Sequence, residues 1–293
     1  MPELDTITAA KHPMTVGVLV TQLRALGIRP GDTLIVHTAM SRIGWVCGRE
    51  PAVVEALMRA VGLTGTLVMP AHSGDNSEPS DWGNPPVPDD WYPIIRQTMP
   101  AYNRRVTPTR CMGRVAECFR TWPGTRRSAH PHVSWCARGP FAALLLRGHR
   151  WNRPAFGMQS PLGRMYRRNA KVLLLGVGYG NCTALHMAET LCPDTPKMRV
   201  AAAVKAHGRR VWKSWEEIVF DSDRFPALGE AYEQAGGTVT AGLLGIAPCK
   251  VVRVKPLVDF GVTWLKEHPP EPDAQEAADA GATADEPTGT PVA

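Results

Sequence analysis

The sequence predicts an α/β fold built on a mixed central sheet with helices on both faces. Three observations carry that expectation. Residues 33–70 read as strand, helix, strand, the succession of a parallel unit whose ligands lie beyond the carboxyl ends of its strands. An apolar strand at 171–176 runs into a glycine-rich turn and then a helical pattern. A hairpin pattern around Gly208 and a strand near 250–255 supply the remaining sheet.

Taken in order, "TVGVLVTQLRAL" at 15–26 has helical periodicity, and "GIRPGD" supplies its stop and turn. "TLIVH" at 33–37 is a strand that ends on His37, and "TAMSRIGWVCGREP" is a glycine-containing loop. "AVVEALMRAVG" is a helix, and "GTLVMP" at 65–70 is a second strand closed by proline. Residues 71–108 are rich in Pro, Gly, Asp, Asn and aromatics. A loop of that length in a compact domain serves as a lid or binding surface, or else is a solvated insertion. Helices are expected in "MGRVAECFRTW" and around 140–147. His37, the loop after Pro70 and the turn before His186 all fall on one edge of the expected sheet.

Composition sets outer limits. The chain has 293 residues, 44% of them hydrophobic, enough for a sizeable core. The N-terminus carries acids and no apolar core segment, and no window approaches 18 uninterrupted apolar residues, so a cytoplasmic protein with no membrane partner is expected. Seven cysteines without a C-x-x-C pair argue against a disulfide framework or structural zinc. The formal charge is +6, but residues 271–293 hold six acids and no base and read as an acidic disordered tail. Residues 1–270, read as a single domain, then carry 33 basic against 21 acidic side chains, net +12. That balance favours an anionic partner. Nucleic acid and a phosphorylated cofactor both qualify, and the lack of a zinc-finger, RRM or helix-turn-helix pattern favours the cofactor.

The chemistry-bearing stretch is "LLLGVGYGNCTALHMAE" at 173–189. His186 and Glu189 are three residues apart on one helix face, so the carboxylate can hold one ring nitrogen and leave the other to take a proton. Read alone, such a histidine is more often a packed structural residue. H-E-x-x-H and G-x-S-x-G are absent, and the G-x-G-x-G run lacks dinucleotide-fold spacing, so zinc protease, serine hydrolase and dinucleotide-binding readings drop out.

Five blocks in order, "HTAMSRIGWVCG" at 37–48, "GTLVMP" at 65–70, "RSAHPHVSWCARG" at 127–139, "SPLGRM" at 160–165 and "VLLLGVGYGNCTALHMAE" at 172–189, resemble the aminoglycoside 3-N-acetyltransferase family, also called antibiotic N-acetyltransferases. The resemblance spans about 17–267. It implies the antibiotic N-acetyltransferase fold rather than the GNAT fold, and transfer of acetyl from acetyl-coenzyme A to the 3-amino group of the 2-deoxystreptamine ring, giving antibiotic resistance. It implies no metal.

By that resemblance His186 is the general base, Glu189 its orienter, and transfer is direct, without an acetyl-enzyme. Thr183 and the turn "GVGYGNCT" are the expected donors to the oxyanion. His37, Thr38, Ser41, Arg127, Ser128 and His130 are the expected coenzyme A contacts, with Val68, Met69 and Pro70 lining the pantetheine channel. The family's paired serines are replaced here by Thr38 and Ala39, so Ala39 can offer only main chain. A polycationic antibiotic needs local acids within a basic protein, and Asp75, Glu217, Asp221 and Asp223 are the expected substrate contacts. His132 and His149 are given no role. Two rivals stand beside this reading: a same-fold N-acetyltransferase acting on another amine in antibiotic biosynthesis or self-protection, and a basic nucleic-acid-binding protein. Oligomeric state is not legible.

Overall fold

Alternation of apolar side chains along the strands divides the core into two layers in the computed structural model, which describes residues 7–8 and 12–269. The strands are β1 (Thr33–Thr38), β2 (Thr66–Pro70), β3 (Arg126–Arg127), β4 (Trp135–Arg138), β5 (Lys171–Leu175), β6 (Lys197–Ala206), β7 (Arg209–Ile218), β8 (Val239–Leu244) and β9 (Ala247–Arg253). In β1, Leu34 and Val36 enter one apolar cluster and Ile35 the other; in β5, Leu173 and Leu175 enter the first and Val172 and Leu174 the second. A period of two puts successive side chains on opposite faces, so a central strand apolar at every position is buried twice over.

Seven strands form one sheet in the order β3-β4-β2-β1-β5-β9-β8. β1 is parallel to β2 and β5, with Ile35 opposite Val68 and Val172. The pairs β2–β4, β3–β4, β5–β9 and β8–β9 are antiparallel. The sheet is therefore mixed, as expected. Helices α1 (Val16–Ala25), α2 (Arg49–Val61), α3 (Tyr92–Thr98), α4 (Arg114–Thr121), α5 (Ala142–Leu146), α6 (Pro161–Arg167), α7 (His186–Leu191), α8 (Phe225–Gln234) and α9 (Val254–Glu267) complete the described structure. Residues of α1, α2 and α4 pack into the first cluster, and those of α5 to α9 into the second, so both faces are covered.

The hairpin expected around Gly208 is present, but β6 and β7 form a separate two-stranded sheet. His207 and Gly208 both have positive φ, +49° and +76°, as a tight two-residue turn requires. The loop at 71–108 is not structureless: it contains α3 and two short 3₁₀ turns at Pro79–Asp81 and Asp89–Trp91. It is bolted to the hairpin. Asn76 exchanges two 3.3 Å hydrogen bonds with the Ala203 backbone, and the Tyr102 N–H donates to the Ala203 carbonyl at 2.8 Å. The acidic tail expected at 271–293 lies outside the described residues. No helix among the described residues is long and apolar enough to cross a membrane.

Candidate active site

The carboxyl ends of the parallel strands converge on a cavity of about 370 Å³, lined by His37, Thr38, Pro70, His72, Thr183 and His186, with Met112, Gly113, Asn181 and Ser222 among its other walls. β1 delivers His37 and Thr38, and β2 ends on Pro70, with His72 two residues beyond. The turn after β5 delivers the rest. Its first residue, Gly176, has φ +67°, and a Cβ there would meet the Arg42 Cβ at 2.9 Å. Only glycine suits both demands.

His186 opens α7, and its Nδ1 lies 2.7 Å from Glu189 Oε2. Glu189 is 3% exposed, and its other oxygen accepts the Asp221 N–H at 2.9 Å. A buried carboxylate with both oxygens engaged, outside the cavity lining, is an orienting group rather than a ligand contact. A carboxylate there favours the tautomer with its proton on Nδ1 and leaves Nε2 free of it. Three aromatic rings hold the imidazole plane: Phe156 stacks on it at 5.2 Å and 17°, while Phe220 and Phe225 meet it edge-on at 4.9 and 4.8 Å.

Phe156 is itself held by a chain of buried polar groups. The Ser128 hydroxyl lies 3.0 Å from His149 Nδ1, and His149 Nε2 lies 3.0 Å from the Ala155 carbonyl. The Ala155 N–H donates to Glu217 Oε2 at 3.1 Å. Ala155 is thus pinned by both main-chain groups, one residue before the ring under His186. Burial holds His149 neutral, with its pKa lowered to about 3, so Nε2–H donates and Nδ1 accepts from Ser128.

The expected contacts therefore separate into groups. His37, Thr38, Pro70, Thr183 and His186 meet at the cavity. Ser41 is exposed in the 3₁₀ turn Met40–Arg42 and is not among the lining residues. Val68 and Met69 are fully buried in opposite core layers, so only Pro70 of that trio reaches the cavity.

Arg127 is buried and its guanidinium is engaged internally. It donates to Ser134 Oγ at 2.9 Å, to the Ala71 carbonyl at 2.6 Å and to the Thr107 carbonyl. Those two carbonyls are the two stems of the long loop, so Arg127 clamps the loop base rather than presenting a fork to phosphate. Burial lowers its pKa from the usual arginine value. His130 accepts the His132 and Val133 N–H groups on Nδ1 and stacks on His149 at 4.8 Å.

The acids also divide. Glu217 is buried, with one oxygen on Ala155 N–H and the other on Ile218 N–H at 3.2 Å, and burial raises its pKa. It serves the support under Phe156. Asp75 is exposed and paired with Arg110 at 2.8 Å. Asp221 caps the Asp223 N–H at 3.1 Å and stands beside Ser222 in the wall, whereas Asp223 is exposed. Sequence reasoning missed His72, Phe156 and Phe220. For His72 a signal was present, since it follows a strand on the ligand-bearing edge.

His37 and His72 are neutral: burial, then repulsion from His186, lowers each pKa to about 3. Neither is paired with a carboxylate, whereas His186 is. Of the three imidazoles around the cavity, only one is set up to carry a proton. The cavity thus has the parts of an acyl-transfer site: one base with an orienting carboxylate, and uncharged polar groups around it.

Comparison with known proteins agrees with that class. A sequence model of the family described as aminoglycoside 3-N-acetyltransferase matches residues 35–266. The SPbeta prophage-derived aminoglycoside N(3')-acetyltransferase-like protein YokD of Bacillus subtilis is 40% identical over 260 residues, covering 88% of this chain and 95% of its own. Its crystal structure superposes with a TM-score of 0.88 at 39% identity over 90% of this chain and 97% of that one. The structure of AAC-IIIb in binary complex with CoASH has a TM-score of 0.76 at 30% identity, covering 89% of this chain and 100% of that one. AAC-VIa bound to sisomicin has a TM-score of 0.77 at 31% identity, covering 87% and 98%. The chain belongs to the aminoglycoside 3-N-acetyltransferase family. It is an acetyltransferase, with acetyl-coenzyme A as co-substrate.

Proposed function

We propose that the protein transfers acetyl directly from acetyl-coenzyme A to the 3-amino group of 2-deoxystreptamine aminoglycosides, with His186 as general base, and so confers resistance from the cytoplasm. The observation that carries this reading is His186 in the cavity wall with its Nδ1 2.7 Å from the buried Glu189 carboxylate behind it.

An alkylammonium has no lone pair to attack a thioester. One ammonium proton is lost to solvent to give the neutral amine; as that amine attacks, His186 Nε2 takes a second proton from the nitrogen, and Glu189 stabilises the imidazolium that forms. The amine nitrogen bonds to the acetyl carbon, and the carbonyl π pair moves to oxygen. Collapse then breaks the carbon–sulfur bond, and His186 returns its proton to the departing thiolate. The products are the acetamide and free coenzyme A.

Direct transfer is supported by the state of Cys182. It is fully buried, and burial pushes its thiol up to about 12, so a thiolate nucleophile is disfavoured there. Thr38 and His37 are the proposed coenzyme A contacts that reach the cavity, with Thr183 a donor near the oxyanion. Arg127, Ser128, His130 and Glu217 act through the walls they hold. Asp221 and Asp75 remain the proposed contacts for the cationic antibiotic, Asp221 being next to the cavity wall.

The test is the identity of the acetylated nitrogen. Incubation with acetyl-coenzyme A and a 2-deoxystreptamine aminoglycoside, followed by NMR of the product, is expected to show one acetamide at the 3-amino position. Acetylation elsewhere, or only of an unrelated amine in a parallel panel, overturns the acceptor assignment.

A further inference from the structure

Around the cavity, His72 has surroundings that the base mechanism leaves unused. Its Nε2 is buried and has no hydrogen-bond partner among the described residues, although the ring lies in the cavity wall. A buried polar atom without a partner is costly; His37 Nε2 and Thr38 Oγ1, on two other lining residues, share that state, and His72 is set apart by its ring packing. The residue is anchored by its main chain, where the Arg110 N–H donates to the His72 carbonyl at 2.8 Å. Its ring meets Trp135 edge-on at 6.2 Å and Phe156 at 6.1 Å. Phe156 is the ring stacked beneath His186. One phenyl ring therefore neighbours both imidazoles.

We propose that His72 is a catalytic residue whose Nε2–H donates a hydrogen bond to the acetyl carbonyl oxygen of acetyl-coenzyme A, strengthening as that oxygen becomes an oxyanion. This rests on the acetyl-transfer reading above. The groups whose charges act on His72 are His37, His186, His149 and Arg127; the nearby Asp75 carboxylate is exposed and paired with Arg110 at 2.8 Å. Burial and those charges keep His72 uncharged, so it cannot compete with His186 for the substrate's proton. A neutral imidazole retains an N–H to aim at a carbonyl, and it adds no positive charge to a site that must accept a polycation. In this proposal His72 carries its proton on Nε2, and the thioester carbonyl is its acceptor. As the amine nitrogen closes on the acetyl carbon, the carbon–oxygen pair moves onto an oxygen already facing this donor, and no proton is transferred to or from His72.

Two variants and two readouts test this. His72→Phe keeps a flat ring and removes the donor; His72→Gln places an amide N–H near the position of Nε2. His72→Phe is expected to lower kcat about 100-fold, within the range for loss of one oxyanion donor, while KM for both substrates stays within about threefold. His72→Gln is expected to recover at least tenfold of that loss. Infrared spectra of carbonyl-¹³C acetyl-coenzyme A bound to the wild-type protein are expected to show the thioester stretch lowered relative to solution, with the shift diminished in His72→Phe and retained in His72→Gln. A rise in aminoglycoside KM with kcat unchanged would make His72 a contact for the antibiotic, and an unchanged carbonyl stretch in His72→Phe would remove the contact altogether; either outcome overturns the proposal. The infrared arm needs no acceptor. A wild-type protein that binds acetyl-coenzyme A with the lowered stretch, yet acetylates no aminoglycoside, would sink the acceptor assignment and leave this contact standing.

Discussion

Glu189 determines what His186 can do. With both carboxylate oxygens engaged and the side chain sealed from solvent, it has one function available, holding Nδ1–H and the charge that forms on the ring. His186→Ala is expected to lower kcat/KM by about 10²- to 10⁴-fold, the usual worth of a positioned acid–base group, with coenzyme A affinity retained. Glu189→Gln is expected to lower kcat by at least about tenfold, because an amide cannot stabilise the imidazolium. Titration calorimetry with coenzyme A beside steady-state kinetics checks both; a Glu189→Gln enzyme with wild-type kcat would leave the carboxylate a purely structural role. Cys111 also lines the cavity, so direct transfer predicts that Cys111→Ala and Cys182→Ala both retain turnover. A folded cysteine variant with none, together with an acetylated wild-type cysteine found by mass spectrometry, would mean a covalent route.

At the scale of elements, one side chain clamps the base of the long loop. Arg127 bridges Ala71 and Thr107, the loop's two stems, and its guanidinium lies 5.2 Å from the centre of the Tyr102 ring. Arg127→Met removes the donor to the Thr107 carbonyl and one of the two donors to the Ala71 carbonyl, which Ser134 Oγ still serves at 2.6 Å; this is expected to cost about 1–3 kcal/mol and to raise aminoglycoside KM as the loop loosens. Urea unfolding and kinetics measure the two effects, and unchanged stability would show that the clamp is dispensable. Gly229 in α8 faces Tyr179, whose ring atoms lie 2.1 Å from where a Cβ would stand. Tyr179 sits in the turn that leads to His186, so Gly229→Ala is expected to push that turn and lower both Tm and kcat.

How much of this was legible in the sequence follows from the range of each interaction. His186 and Glu189 are three residues apart, and local spacing alone puts them on one face. The ligand-bearing edge followed from strand, helix, strand. Arg127, Ser128 and Glu217 were read as ligand contacts because a polar residue in a motif does not reveal whether its partner is a ligand or a distant backbone. Apart from Ile218 next to Glu217, their partners lie 7 to 62 residues away. Phe156 was invisible for the same reason. Helix α3 was masked by the Pro- and Asp-rich composition around it, although Pro93 stands in its first turn, where proline is well tolerated.

For the whole molecule, the histidines set the response to acid. His37, His72 and His149 are each buried neutral with pKa lowered to about 3, and His130 is lowered by burial as well. Their folded values lie below the ordinary imidazole value of 6.5, so the unfolded chain binds more protons between those limits. Stability is then fully present above about pH 6.5 and is lost as pH falls toward 3, by as much as about 1.4 kcal/mol per pH unit for each such histidine. His149→Gln is expected to be less stable at pH 7, having lost its fit to Ser128 and Ala155, but to show a shallower decline from pH 6.5 to 5. Parallel slopes of unfolding free energy against pH would contradict this.

The measurement that bears most directly on the account is free thiol release from acetyl-coenzyme A with a 2-deoxystreptamine aminoglycoside, comparing the wild-type protein with His186→Ala. The account predicts turnover that requires both the aminoglycoside and His186. Thiol release that persists at the wild-type rate in a folded His186→Ala protein would contradict it.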